Sequence, residues 1–258
     1  MPVTYAVLND LHIPYHDKKV VNLVLSFLKK KEVKIDEIIL NGDIVDCYPI
    51  STFDKKPFSP SSIDLEIEEL EKFIKELQKI TPKITYIAGN HEDRTRKWIW
   101  KNEAIHRLGQ DRGIQVSKLS FATLYGLDEL GVKYLEYGDG VWLGKLFCTH
   151  GRVVRKHSAF SAKAEWEGNG CSTITGHTHR IGRYSITLRG GTYASWENGC
   201  LCDLQPEYIK GVPNWQHGFA IVNAVNDSSR FNNKGLFSVQ QIDILNRSSL
   251  WYGGKEYS

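Results

Sequence analysis

An α/β fold of two stacked sheets with helices outside is the architecture this sequence predicts, and three observations predict it. Short β-branched runs alternate with amphipathic helical stretches through the first half of the chain. From about residue 132 onward, short strand runs dominate. The 258 residues are 41% hydrophobic and 24% charged, enough for a sizeable core, and no stretch rich in Pro, Gly and Ser divides them. One domain spanning residues 1–258 is the expectation.

The elements follow in order. Residues 3–8 form a β-branched and aromatic run that reads as strand, and a helix over 18–31 follows, because Val20, Val21, Val24, Leu25 and Leu28 recur on one helical face. Residues 37–40 read as a buried strand. The amphipathic stretch 65–80 sets Leu70, Phe73, Ile74 and Leu77 on one side, with Ser61 and Asp64 as a capping-box start and Pro82 as its stop. Residues 84–88 are strand again, and successive β-α-β units imply a parallel sheet covered by helices. After a helical stretch near 94–108 come strand runs at 132–136, 145–149, 172–175, 183–188, 192–196, 219–224 and 238–245. Gly190-Gly191 reads as a two-residue hairpin turn.

Composition excludes disorder and collagen-like repeats. A net charge of +3, from 33 basic against 30 acidic side chains, neither declares nor excludes a polyanionic partner. The N-terminus lacks a basic leader followed by an apolar run, and no later segment reaches the ~18 apolar residues of a spanning helix, so a cytoplasmic chain without membrane contact is expected. Five cysteines, at 47, 148, 171, 200 and 202, form neither a C-x-x-C pair nor an even framework, and reduced thiols are expected.

Chemistry gathers at the strand ends. Asp10-Leu11-His12 follows the first strand, Gly42-Asp43-Ile44-Val45-Asp46 the second and Gly89-Asn90-His91-Glu92 the third. His150-Gly151 and Gly176-His177-Thr178-His179 follow two later strands. Ligands of α/β sheets bind outside the carboxyl ends of strands. So many ionisable groups buried together are costly unless divalent cations accept their lone pairs. Oxygen and imidazole donors without thiolate suit Mn²⁺, Fe, Zn²⁺ or Mg²⁺, and their number exceeds what one ion can use. Two ions are implied, and a carboxylate shared between them would set a spacing of about 3.5–4 Å, at which a pair clamps a phosphoryl group and activates a bridging water as nucleophile.

The motifs D-x-H, G-D-x-x-D, G-N-H-E, H-G and G-H-x-H, in this order across residues 10 to 179, resemble those of the calcineurin-like metallophosphoesterase superfamily. The resemblance implies a four-layer αββα sandwich of two mixed sheets, with a dinuclear metal centre at the sheet edge. Carried over position by position, it implies Asp10, His12, Asp43 and His179 as ligands of one ion, and Asp43, Asn90, His150 and His177 as ligands of the other. Asp43 would bridge. His91 would face the scissile phosphate, and Asp46 would orient its ring. Glu92 has a less defined role that could be structural. Mn²⁺ is the favoured ion, with Fe, Zn²⁺, Mg²⁺ or Ni²⁺ as alternatives.

Other residues have competing readings. His16, His106 and His217 read as solvated loop side chains, and Cys47 and Cys171 as packing residues. The run Arg152-Val153-Val154-Arg155-Lys156-His157 is either a phosphate-gripping loop or a solvated basic stretch, and Arg152 and Arg155 are its candidate substrate contacts. Arg94 to Lys101 mixes four basic residues with Trp98 and Trp100, a composition suited to a nucleic-acid backbone and its bases, although Trp98 and Ile99 could instead face the core. Arg94 is a third candidate substrate contact.

Protein serine/threonine phosphatases of the superfamily carry Arg where this chain has Cys47 and Ala88, which argues against close kinship with them. Segments 198–202 and 213–216 look more like compact stand-alone phosphoesterases of viral or prokaryotic type. The leading expectation is a phosphodiesterase or nuclease acting on nucleotides or nucleic acid. A phosphomonoesterase for small metabolites is the second, and a metal-bound binding module without turnover the third.

Overall fold

A computed structural model describes residues 2–52, 62–102, 104, 120–206, 211–225 and 235–258. Ser61, His106 and the later part of the helix expected near 94–108 lie outside the described residues.

Two mixed sheets carry the fold. The larger has eight strands in the order β13-β12-β11-β10-β1-β2-β3-β4. Its parallel half is β1 (Val3–Leu8), β2 (Glu37–Asn41), β3 (Ile84–Ile87) and β4 (Lys133–Leu135). Its antiparallel half is β10 (Gly218–Ala224), β11 (Phe237–Leu245), β12 (Ser249–Tyr252) and β13 (Lys255–Tyr257). The smaller sheet runs β5-β6-β7-β9-β8, from Val141–Leu143, Leu146–Cys148, Ser172–Thr175, Gly191–Asn198 and Ile181–Leu188 respectively.

The period of two along each central strand divides the core into two layers. On β1, Ala6 and Leu8 point to the helices while Tyr5 and Val7 point to the other sheet. On β2, Ile38 and Leu40 oppose Ile39, and on β10, Phe219 and Ile221 oppose Ala220 and Val222. The outer layer packs Val24, Phe27 and Leu28 of helix α1 (Lys18–Leu28) and Leu70, Ile74 and Leu77 of α2 (Ile63–Gln78) against this sheet. The inner layer joins the sheets through Ile87, Leu146, Cys148, Ile174 and Trp196. A buried side chain of this size stabilises the fold by about 1.5–3 kcal/mol. The strand ends between the sheets are therefore held rigidly.

Helix ends depart from the sequence reading in informative ways. Asp17 caps α1, its carboxylate accepting from the amides of Lys19 (3.1 Å) and Val20 (3.2 Å). Ser62 caps α2, its hydroxyl accepting from Leu65 N at 3.2 Å, so the helix begins at Ile63 rather than at 65. The hairpin register pairs Leu188 with Gly191, so Arg189-Gly190 is the two-residue turn and Gly191 begins β9 with φ at 137°. Helix α3 spans Asp93–Lys101, α4 Phe121–Leu124 and α5 Phe160–Asn169. Neither α4, α5, β5, β12 nor β13 was expected. In α5 only Ser161, Ala162 and Glu165 are buried while Phe160 is exposed, so no apolar period marks it.

All five cysteines are free. Among the described residues, no helix is long and apolar enough to cross a membrane.

Candidate metal centre

The loops after β1, β2, β3, β6 and β7 converge at one edge of the two sheets, and an unusual backbone sets their side chains. Asp10, His12, Asp43, His177 and His179 have φ between 50° and 68°. That left-handed region is unfavourable for residues with a Cβ and persists only when the surroundings over-determine it. Here they do. Asp10 N donates to Gly42 O (3.0 Å), His12 N to Asp43 O (2.9 Å) and Ile13 N to Ile44 O (2.8 Å), zipping the first two loops together.

Glu92 locks the second and third loops. Its buried carboxylate accepts from the amides of Asp43 (3.0 Å), Ile44 (2.8 Å), Val45 (3.0 Å) and Gly89 (2.7 Å) and from the Tyr86 hydroxyl (2.7 Å). Its contacts are therefore to the loop framework. Glycine is required beside the donors: a Cβ on Gly42 would lie 2.3 Å from His150 Nδ1, one on Gly89 2.2 Å from Asp43 Oδ1, and one on Gly176 2.4 Å from Asp10 Oδ2.

Within this frame, Asp10, His12 and His179 bring donor atoms within 4.8 Å of one another, and Asp43, His150 and His177 do the same. Asp43 lies between the two sets, its Oδ2 3.8 Å from His12 Nε2 and 3.3 Å from His150 Nε2. Asn90 Oδ1 is 3.3 Å from His150 Nε2 and joins the second set. Asp10, His12, Asp43, His150 and His179 are buried, whereas Asn90, His91 and His177 are partly exposed and form the open side.

Outer partners aim these rings. Asp46 Oδ1 accepts from His12 Nδ1 at 2.9 Å, and Asn41 O accepts from His150 Nδ1 at 2.9 Å. With the proton fixed on Nδ1, each neutral ring turns the Nε2 lone pair inward. His12 Nε2 and His179 Nε2 stand 3.1 Å apart, and His179 Nε2 is 3.1 Å from Asp10 Oδ1. Lone pairs converging in this way repel unless a proton or a cation lies among them. The donor set of buried oxygens and imidazoles fits divalent ions on that ground.

Electrostatics agree. Burial opposes charge on Asp43 and Asp10, but His150 and His91 around the first, and His179 and His150 around the second, hold both carboxyls below the usual range. Burial likewise opposes charge on Asp46, whose bonds to His12 and His91 hold it low. Against burial, Asp43 pushes His150 up to about 10, and Cys202 and Asp10 push His179 up to about 10. Burial and His91 push His12 down, and burial and His150 push His177 down.

His91 stands at the rim. Its amide donates to Asp43 Oδ1 (2.9 Å), and its Nδ1 lies 2.9 Å from Asp46 O and 3.1 Å from Asp46 Oδ1. Although burial opposes it, Asp43 and Asp46 raise the pKa of this ring. Arg94 reaches the same spot, its Nη2 3.0 Å from His91 Nε2 and its Nη1 donating to Asp46 O at 2.8 Å. Thus Asp10, His12, Asp43, Asp46, Asn90, His91, Arg94, His150, His177 and His179 come together. Arg152 and Arg155 do not join this cluster and are exposed on the loop after His150. On α3, Ile99 is buried but Trp98 and Trp100 are 46% and 64% exposed, so Trp98 does not face the core.

Sequence reasoning named Asp46 but missed the other outer partners. Asn9 Nδ2 donates to Asp10 Oδ2 at 2.7 Å, Asn198 Nδ2 donates to Asn9 Oδ1 at 2.6 Å, and the Trp215 ring lies 4.2 Å from that of His179. Asn9 and Asn41 abut their motifs and could have been suspected. Asn198 and Trp215 lie in segments singled out only for their likeness to compact phosphoesterases, with no role assigned.

The calcineurin-like phosphoesterase profile matches residues 3–181, and the chain belongs to that family. The family hydrolyses phosphoesters with divalent metal ions held as a pair. No curated protein matches the chain. It is also similar to Vacuolar Protein Sorting 29 from Cryptosporidium parvum, at 15% identity over 95% of this chain and 100% of that one, with a TM-score of 0.42. Vps29 of Chaetomium thermophilum is 11% identical over 93% of each chain, with a TM-score of 0.42. Likeness of that order carries nothing about activity.

Proposed function

We propose that this chain is a two-metal phosphodiesterase acting on nucleotides or nucleic acid. The observation that carries the reading is the pair of donor sets on either side of Asp43, open to solvent only where Asn90, His91 and His177 are partly exposed. Asp10, His12, Asp43 and His179 would hold one ion, and Asp43, Asn90, His150 and His177 the other. When bound, such ions supply Lewis-acid charge at the phosphoryl oxygens and lower the pKa of water at neutral pH.

The chain's own groups do the rest. Asp46 steers two rings at once, holding His12 toward the cluster and His91 toward the opening. Once Arg94 has left Nε2, Asp43 and Asp46 favour the protonated His91 ring, which then has a proton at Nε2 to hand to the departing alkoxide. Arg94, resting against His91 Nε2, swings onto the incoming phosphoryl group, where its fork complements two oxygens. Exposed Trp98 and Trp100, with Arg96 stacked 4.2 Å over Trp100, support a substrate that extends beyond one phosphate and offers bases to stack. Exposed Arg152 and Arg155 would contact the backbone of the same substrate.

Under Mn²⁺, a chromogenic phosphodiester and the matching monoester separate this reading from its rival. Faster turnover of the diester, together with cleavage of single-stranded nucleic acid, is expected. Strong monoester preference without nucleic-acid cleavage would replace it by a phosphomonoesterase, and two bound ions without turnover of any phosphoester would replace it by a binding module.

A further inference from the structure

His179 has a second face. Its Nε2 meets Asp10 and His12, while its Nδ1 points the other way, 3.6 Å from Cys202 Sγ. Cys200 completes a group there: one donor atom each from His179, Cys200 and Cys202 lie within 4.8 Å of one another, and all three residues are buried. Cys200 Sγ is also 3.5 Å from the carbonyl oxygen of Gln216.

The spacing has a physical meaning. A tetrahedral zinc ion, with bonds of about 2.3 Å to sulfur and about 2.0–2.1 Å to nitrogen, sets its nitrogen and sulfur ligands roughly 3.5 Å apart. The observed 3.6 Å between His179 Nδ1 and Cys202 Sγ fits that edge. The backbone fixes the donors in advance. Residues two apart in an extended segment share a face, and Cys200 and Cys202 are held so by bridges to His217 and His16. Cys200 N donates to Gln216 O (3.0 Å), Gly218 N to Cys200 O (3.1 Å), and His217 Nε2 lies 2.8 Å from Cys202 O. Pre-set donors lose little freedom when an ion arrives.

We propose that Cys200, Cys202 and Nδ1 of His179, with the Gln216 carbonyl oxygen as fourth donor, form a cation site separate from the oxygen and imidazole cluster. Two sulfurs and an imidazole select a thiophilic borderline ion such as Zn²⁺, whereas carboxylate-rich donors suit harder ions such as Mn²⁺. Binding releases the two thiol protons and the proton on His179 Nδ1 to solvent, and when both sites are filled the ring ligates through both nitrogens as an imidazolate. His179 then joins two sites of different selectivity through one ring.

Cobalt reports the site directly. Titrating the full reduced chain with Co²⁺, under a non-thiol reductant, should raise a sulfur-to-cobalt charge-transfer band in the near ultraviolet whose saturated intensity corresponds to one thiolate-bound Co²⁺ per chain. Cys200→Ser and Cys202→Ser should each abolish the band and bind one Zn²⁺ fewer than the unmodified chain. That difference of one holds whether or not the larger cluster takes two ions, so the phosphodiesterase reading and this one fail separately. Should the variants misfold, thiol alkylation of the unmodified chain decides: Zn²⁺ should slow labelling of Cys200 and Cys202 by at least about tenfold and leave the half-buried Cys171 unchanged. Absence of the band at saturating Co²⁺, equal Zn²⁺ content in the variants, or labelling insensitive to Zn²⁺ would overturn the proposal.

Discussion

The two sheets bring opposite chemistry to their common edge. Every carboxylate of the cluster, Asp10, Asp43 and Asp46, comes from loops of the eight-stranded sheet, while His150, His177 and His179 come from the five-stranded one. The rings that meet a carboxylate across this division show its effect. His150 and His179, reaching across to Asp43 and Asp10, are pushed up to about 10, whereas His12, buried on the carboxylate side beside His91, is pushed down. Without a cation the edge is a seam of ion pairs between sheets, with protons standing where metal ions would. Binding ions and holding the sheets together are thus one electrostatic problem.

The largest break in the seam should come from Asp43→Asn, which removes the charge lying between both donor sets. Loss of both ions by metal analysis and a fall of turnover to background are expected; retention of two ions would refute the bridging role. On the same side but at the rim, His91→Ala should keep the ions and lose on the order of 10²–10⁴ in rate. Unchanged hydrolysis at full occupancy would defeat its part in proton transfer.

Glu92→Gln sharpens the comparison by attacking the frame instead of the donors. The amide cannot accept from all five groups that the carboxylate serves, and a denaturant midpoint should report a loss of about 3 kcal/mol, given about 1–3 kcal/mol for each buried donor left unpaired. A midpoint within experimental scatter of the parent would show the clamp to be dispensable.

The smallest effect is a pH dependence of the metal-free protein that bound ions should offset. For His150 and His179 the folded pKa is raised from 6.5 to about 10, so their stabilisation is complete below 6.5 and is lost as pH climbs toward about 10. Asp10, Asp43 and Asp46 are depressed, so theirs is present above 3.8 and fades as pH falls below it. Metal-free melting temperature should therefore decline on the alkaline side. The gain from Mn²⁺ should grow with pH over the same window, because ions displace protons from the two rings. A gain independent of pH would mean that these rings do not ligate.

The motif residues were legible because each ends a strand whose apolar run is itself legible. Asp10, Asp43, Asn90, His150 and His177 all follow recognisable apolar strand runs, and their order supplied the family. Glu92 was ambiguous in sequence, since an acid beside a histidine can ligate, orient or brace; five hydrogen bonds to neighbouring loops make it a brace. Trp98 misled through helical spacing, because a helix as short as α3, about two and a half turns, does not reveal by its sequence which face meets the core. Cys200 and Cys202 form no C-x-x-C pair and drew no role from the sequence, and only the fold returns His179 to them.

By itself the sequence determined the strands and helices with strong apolar periods, the loops that bear ionisable groups, and the family to which they belong. These are local quantities, set by side-chain period and by neighbours along the chain. Tertiary structure alone decided which carboxylate faces which imidazole, which rings point their lone pairs inward, and where α5, β12 and β13 lie. The pairings of Asp10 with His179 and of Asp43 with His150 depend on contacts between residues more than a hundred positions apart, whose energies vanish in the unfolded chain and exist only when the two sheets close over their shared core.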